Sequence, residues 1–151
     1  MRITVQRVRH AKCLVDGFVT GEINKGLLLF IGIHESDTTE IANKMLEKIK
    51  NLRIFEDENG KTNLNAEAVG GEALLISQFT LYADCRKGNR PSFVGAAAPA
   101  FANELYEYMI KRAETMFQKV GTGKFGADMQ IELINDGPFT INLDSDFLNM
   151  K

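Results

Sequence analysis

Leu27-Leu28-Leu29-Phe30-Ile31-Gly32-Ile33 carries no polar side chain. A strand with one wet face alternates apolar and polar residues, so a run this apolar reads as a strand covered on both faces, at the centre of its sheet. Upstream, Arg2 to Val8 does alternate, with Ile3 and Val5 on one face. Arg7 falls on that same face, so it either finds a fixed acceptor inside or snorkels to water at the sheet edge. Between these runs, Lys12 to Val15 and Phe18 to Ile23 flank Asp16-Gly17, the pair that a type I′ hairpin favours.

Downstream of the apolar run the period changes. Asp37 and Glu40 stand at capping-box spacing, and Ile41, Met45, Ile49 and Leu52, with Ala42 and Leu46 beside them, form one stripe of a helix. Arg53-Ile54-Phe55 is a short strand, Asp57 to Lys61 a polar turn, and Gly70-Gly71 a break before a strand from Ala73 to Thr80. Ala97-Ala98-Pro99 opens a second helix with Phe101, Leu105, Met109, Ala113 and Met116 at helical spacing. Gly121, Gly123 and Gly126 make a flexible connection around Lys124. Met129, Ile131 and Leu133 then alternate with polar residues, and Asn135-Asp136-Gly137-Pro138 turns the chain into a last strand, Phe139 to Leu143. Strands, helix, strands, helix, strands with a hairpin at each end predict one α+β domain over 1–151, with a largely antiparallel, barrel-like sheet and two main helices.

Composition narrows the function classes without choosing one. A net charge of −2 offers no bulk attraction to nucleic acid, so any RNA contact must come from a local basic patch. Cys13 and Cys85 fit no metal spacing and read as free thiols. The start of the chain lacks the apolar core of a signal peptide, and no apolar run approaches the roughly 20 residues a bilayer needs, so a soluble cytosolic protein is expected. His10 and His34 have no partners at ligand spacing, so no metal and no cofactor are expected. Gly121-Thr122-Gly123-Lys124 lacks the spacing of a phosphate-binding loop, and no nucleophile elbow surrounds Ser77.

What remains is Ser77-Gln78-Phe79-Thr80, polar groups gathered where a buried strand ends, ahead of a basic loop. Ser77 or Thr80 could be a nucleophile, but the sequence identifies no base for either; the alternative is that their hydroxyls satisfy backbone groups at the strand end. Along an ideal strand Gln78 and Thr80 share one face and Ser77 and Phe79 the other, so all four line one pocket only if the strand bends or the pocket wraps its end. Backbone N–H groups there could serve as the donors instead.

Ser77-Gln78-Phe79-Thr80-Leu81, Lys87-Gly88-Asn89-Arg90-Pro91-Ser92-Phe93 and Asn135-Asp136-Gly137-Pro138-Phe139-Thr140 together resemble the D-aminoacyl-tRNA deacylase family. Gln6-Arg7-Val8, Gly60 to Asn65 and Phe125 to Met129 fit as well, so the resemblance covers essentially the whole chain, in order. It implies an esterase that frees a D-amino acid, or glycine, from the 3′-adenosine of tRNA. It further implies a homodimer whose active site lies at the subunit interface. There the Ser77, Gln78, Phe79 and Thr80 wall of one subunit meets a Gly137–Pro138 tip from the other, its peptide bond cis, which rejects L-amino acids. Arg7 is then expected to hold the tip, with Asn135 and Thr140 supporting it. Arg86, Lys87, Arg90 and Lys124 become candidate contacts for tRNA phosphates. The missing base has two solutions: the vicinal 2′-hydroxyl of the tRNA assists, or Thr80 is the nucleophile. Phe139 stands where the family usually has Val, and Thr62 where many relatives have Met. Rival readings are a tRNA-binding or editing module without catalysis and a Ser/Thr hydrolase of small molecules.

Overall fold

The computed structural model describes residues 1–150. The apolar run forms β3 (Gly26–Gly32), and its two faces enter different cores. Leu27, Leu29 and Ile31 pack into the larger core, shared with the two helices α1 (Thr39–Asn51) and α2 (Pro99–Glu114). Leu28 points the other way, into a smaller core with Val8, Ala11, Cys13, Ile23, Leu74 and Ile76. All three leucines are 0% exposed, and each such burial is worth roughly 1.5–3 kcal/mol.

Around β3 the sheet runs β2 (Phe18–Ile23), β1 (Arg2–Val15), β3, β6 (Glu72–Ser77) and β7 (Val120–Thr122), while β8 (Gln130–Asp144) pairs with β1. β4 (Phe55–Glu56) and β5 (Thr62–Leu64) form a separate small ribbon. β1 is antiparallel to β2, β3 and β8, as the hairpin pattern predicts. β3–β6 and β6–β7 are parallel, so the sheet is mixed. The helices are the reason: α1 lies between β3 and β6 in the chain, α2 between β6 and β7, and each supplies the long crossover that parallel pairing requires. The sheet curls until β2 and β7 nearly meet. Thr20 Oγ1 donates to Thr122 O at 3.0 Å, and a Cβ on Gly21 would lie 2.4 Å from the Thr122 backbone. The result is a nearly closed barrel filled by the smaller core.

Five expectations are corrected. β6 ends at Ser77, and Phe79–Tyr82 form a 3-10 turn rather than more strand. Asn135-Asp136-Gly137-Pro138 does not close a hairpin, because both flanks pair with β1: Val8 faces Asn135 and Gln6 faces Thr140. Asp136 to Phe139 therefore lie opposite Arg7 alone, and the surplus residues bulge out as a tip. Thr38, not Asp37, caps α1, accepting from Ile41 N at 3.2 Å. Buried Asp37 instead accepts from the Met1 ammonium at 2.6 Å and from His34 N at 2.7 Å. Phe101 is exposed, because α2 turns Ala102, Leu105, Tyr106, Met109 and Ala113 inward. The glycine-rich stretch is not a free linker: Gly121 is in β7, and a Cβ on Gly123 would meet Met129 Sδ at 2.6 Å. No helix among the described residues is long and apolar enough to cross a membrane.

Candidate active site

The last rung of β6 decides how the site begins. Ser77 sits opposite Ile31, and Gln78 N donates to Ile31 O at 2.7 Å. The chain then tightens into the 79–82 turn, where Leu81 N donates to Gln78 O and Ala83 N to Thr80 O. Gly32 makes room for it. A Cβ there would stand 3.0 Å from Leu81 Cβ and 3.2 Å from Gln78 O, so a side chain would push the turn off β3. As the first residues of the turn, Phe79 and Thr80 have N–H groups with no partner inside it.

Ser77, Gln78 and Phe79 line a cavity of about 630 Å³. Ile31, Ile33 and Ile76 form its apolar floor, the start of α2 and Phe125 to Ala127 its sides. Phe79 and Phe93 meet edge to face at its mouth, ring centres 5.1 Å apart. An apolar chamber with a few polar groups on one wall is the usual form of a small-molecule subsite. The pocket therefore wraps the strand end, bringing together residues that an ideal strand would separate. Thr80 is not on the wall. Its hydroxyl accepts a hydrogen bond from Gln78 Nε2, and an amide cannot act as its base. His34, near the end of β3, is engaged elsewhere: Nδ1 lies 2.8 Å from Ser36 Oγ and its ring 5.5 Å from that of Tyr82. Burial raises the Tyr82 phenol well above its ordinary value, with the charges of Asp37 and Asp144 adding to the effect, so it stays protonated.

At the tip the Gly137–Pro138 peptide bond is cis, Gly137 has φ +126°, and both residues are exposed. Arg7 lies beneath, 5% exposed, donating from Nε to Asp136 O at 2.9 Å and from Nη1 to Ile54 O at 2.5 Å. Its inward position thus has fixed acceptors. The Phe139 ring covers the guanidinium at 4.9 Å, which gives the larger side chain at this position a packing role. Thr140 Oγ1 donates to Gln6 Oε1 at 2.5 Å, while Asn135 is exposed on the other flank. Thr62 is exposed on β5 and does not line the cavity.

Tip and cavity do not meet within one chain. Arg7 pairs with Leu27 and Ser77 with Ile31, so the two lie about 13 Å apart along β3 at roughly 3.3 Å per residue. No tip residue lines the cavity.

The basic candidates divide. Arg86 is tied to Asp84 by two bonds, 2.9 and 2.6 Å, and their hydrogen bonding holds the Asp84 carboxyl down at about 2. Lys87, Arg90 and Lys124 are exposed, and Lys124 precedes Phe125, which lines the cavity. Among the described residues, no group of His, Cys, Asp and Glu is arranged to hold a metal ion. Gly32 and the small residues opening α2 shape the candidate site but escaped the sequence reading. Their contributions are contacts across the fold, and no local pattern marks them.

A small α+β domain with a nearly closed mixed barrel, an apolar chamber at one end of the central strands and an exposed Gly–Pro tip toward the other defines the class of protein. The profile of the D-Tyr-tRNA(Tyr) deacylase family matches residues 4–144, and the chain belongs to that family. It is 54% identical over 145 residues to the D-aminoacyl-tRNA deacylase of Clostridioides difficile (strain 630), covering 96% of this chain and 97% of that one. It is 51% identical over 151 residues, the full length of both chains, to the D-aminoacyl-tRNA deacylase of Fusobacterium nucleatum subsp. nucleatum. Among solved structures, one described as c-Myc DNA Unwinding Element Binding Protein superposes with a TM-score of 0.90 at 38% identity, covering 96% of this chain and 99% of that one.

Proposed function

We propose that the protein is a hydrolase that cleaves the ester bond of D-aminoacyl-tRNA, and of glycyl-tRNA, releasing the free amino acid and the tRNA during translation in the cytosol. It works as a homodimer, each active site combining the cavity of one subunit with the tip of the other. The observation that carries this reading is the separation of tip and cavity. Each is a finished half of a site, and the chain cannot bring its own halves together, so a second copy supplies the tip.

Chemistry follows from the parts. The aminoacyl ester enters the chamber with the terminal adenosine at its mouth. Water attacks the ester carbonyl carbon, and the developing oxyanion is received by the N–H groups of Phe79 and Thr80. The C–O bond to the ribose then breaks, and the vicinal 2′-hydroxyl, already adjacent at high effective molarity, relays the proton lost by the attacking water to the leaving oxygen. Thr80 holds Gln78 in place and is not the nucleophile, because its hydroxyl faces an amide rather than a base. Carbonyls of the Gly137–Pro138 tip hold the substrate ammonium and leave no room where an L side chain would project. A D side chain points away, and glycine has none to exclude. Asn135 and Thr140 flank and steady the tip. Lys87, Arg90 and Lys124 contact acceptor-stem phosphates without reading sequence.

Matched D- and L-aminoacyl-tRNA incubated with the purified protein test the reading. Release of the D-amino acid with the L-ester left intact is the expected result; equal or absent release overturns it. Thr80→Ala should retain most activity, whereas a 2′-deoxy terminal adenosine should abolish it. The reverse pattern would return Thr80 to the role of nucleophile. Sedimentation should give a dimer.

A further inference from the structure

The 79–82 turn carries the donors of the proposed site, yet none of its residues is buried. Its place must be fixed by particular contacts rather than by the core. Beyond its close approach to β3 at Gly32, the turn borders a second cavity of about 500 Å³ at Leu81, which Thr4 and Phe147 also line. Arg2 crosses that space. Its Nη1 donates to Leu81 O at 3.1 Å, and its guanidinium carbon lies 4.6 Å from the centre of the Tyr82 ring. Nε donates to Asp144 Oδ2 at 3.0 Å, and Asp144 is itself fixed by accepting from Asp146 N at 2.9 Å. One planar side chain thus joins β1, the turn and the end of β8.

We propose that Arg2 is a positioning residue for the reaction: it holds the turn at Leu81 and Tyr82 so that the N–H groups of Phe79 and Thr80 face the ester. This rests on the proposed deacylase reading of the chamber. The fork geometry matters, because a guanidinium bonds a carbonyl and a carboxylate while stacking on a ring. A lysine ammonium is a point charge that cannot do all three. Because the contact is to the turn and not to tRNA, its loss acts on the chemical step. Misplacement of a reacting group by about 1 Å costs up to roughly a hundredfold in rate.

Deacylation of D-aminoacyl-tRNA by wild type, Arg2→Ala, Arg2→Lys and Asp144→Asn tests this, with amide hydrogen exchange of residues 79–83 measured in parallel. Arg2→Ala should lower kcat about ten- to a hundredfold, leave KM within about twofold, and speed exchange in the turn. Arg2→Lys should recover only part of kcat. Asp144→Asn, which keeps the shape of the acceptor, should lose less than either. A wild-type kcat in Arg2→Ala overturns the proposal, and so does a change confined to KM, which would make Arg2 a tRNA contact. Full rescue by Arg2→Lys would also overturn it, since charge alone would then suffice. If wild type itself releases no D-amino acid, the deacylase reading fails instead, and the exchange of the turn still reports whether Arg2 holds it.

Discussion

Arg7 and Arg2 project from the same strand and grip opposite halves of the proposed site, but in different surroundings. Arg7 is 5% exposed, and its hydrogen bonds end on the carbonyls of Asp136 and Ile54. The Arg2 side chain is 44% exposed, with one bond to Leu81 O and one to the half-buried Asp144 carboxylate. The tip is thereby built into the fold's stability, since the guanidinium that holds it also satisfies buried backbone. The turn is held from the surface by a partly exposed ion pair, a kind of contact that contributes little to stability. A tip proposed to exclude by shape must not move, whereas a turn proposed to meet a reacting ester is set by a few contacts around an open space.

Arg7→Ala should break the comparison most severely. Losing a buried cation that donates to two backbone carbonyls leaves those of Ile54 and Asp136 unpaired, at a cost of about 2–4 kcal/mol in denaturant unfolding. Discrimination against L-aminoacyl-tRNA should fall with it. Gly137→Ala comes next. An L residue at φ +126° is strained, and its Cβ would stand 2.8 Å from Arg7 Nη2, so a loss of about 1–3 kcal/mol and of most deacylation is expected. Mixing Gly137→Ala with a cavity variant such as Gln78→Ala, each poor alone, should restore activity in the mixed dimer through its one intact composite site. No complementation would argue against a site shared between subunits.

Arg2→Ala should cost under about 1 kcal/mol in the same unfolding measurement, as exposed ion pairs do, whatever it does to kcat. A loss equal to that of Arg7→Ala would erase the distinction between the two clamps. The smallest effect belongs to Arg86. Asp84 titrates at about 2 in the folded chain against an ordinary 3.8, so its pairing favours the fold above pH 3.8 and loses that contribution as pH falls through about 2. An NMR titration of the Asp84 carboxyl should return to the ordinary range in Arg86→Ala. The melting temperature at pH 7 should scarcely move, because both groups are solvated, and tRNA binding should weaken less than in Lys87→Ala or Arg90→Ala.

Much of the fold was legible because period and burial coincide. The Leu27 to Ile33 run, the alternation around Ile3 and Val5 and the helical stripes each state a local requirement that the tertiary structure meets. The two halves of the site were legible as blocks of residues but not as shapes. Phe79-Thr80-Leu81-Tyr82 has strand-forming side chains, and only the close approach permitted by Gly32 turns it into a 3-10 turn. Asn135-Asp136-Gly137-Pro138 has the chemistry of a hairpin, and pairing of both flanks with β1 makes it a bulge instead. Asp37 carries a capping signal and spends its carboxylate on the Met1 ammonium.

By itself the sequence determined the central strand, the two helices and the residue blocks that resemble one family, and it left Arg7 open between a buried acceptor and the sheet edge. These are local, because strand and helix periods are written in neighbouring side chains. Only the tertiary structure decided that the sheet is mixed, that the 77–79 wall bends around a chamber, and that the Gly137–Pro138 tip lies about 13 Å along β3 from it. Those facts depend on which distant strands pair and in what register, and no short stretch of chain encodes a register by itself.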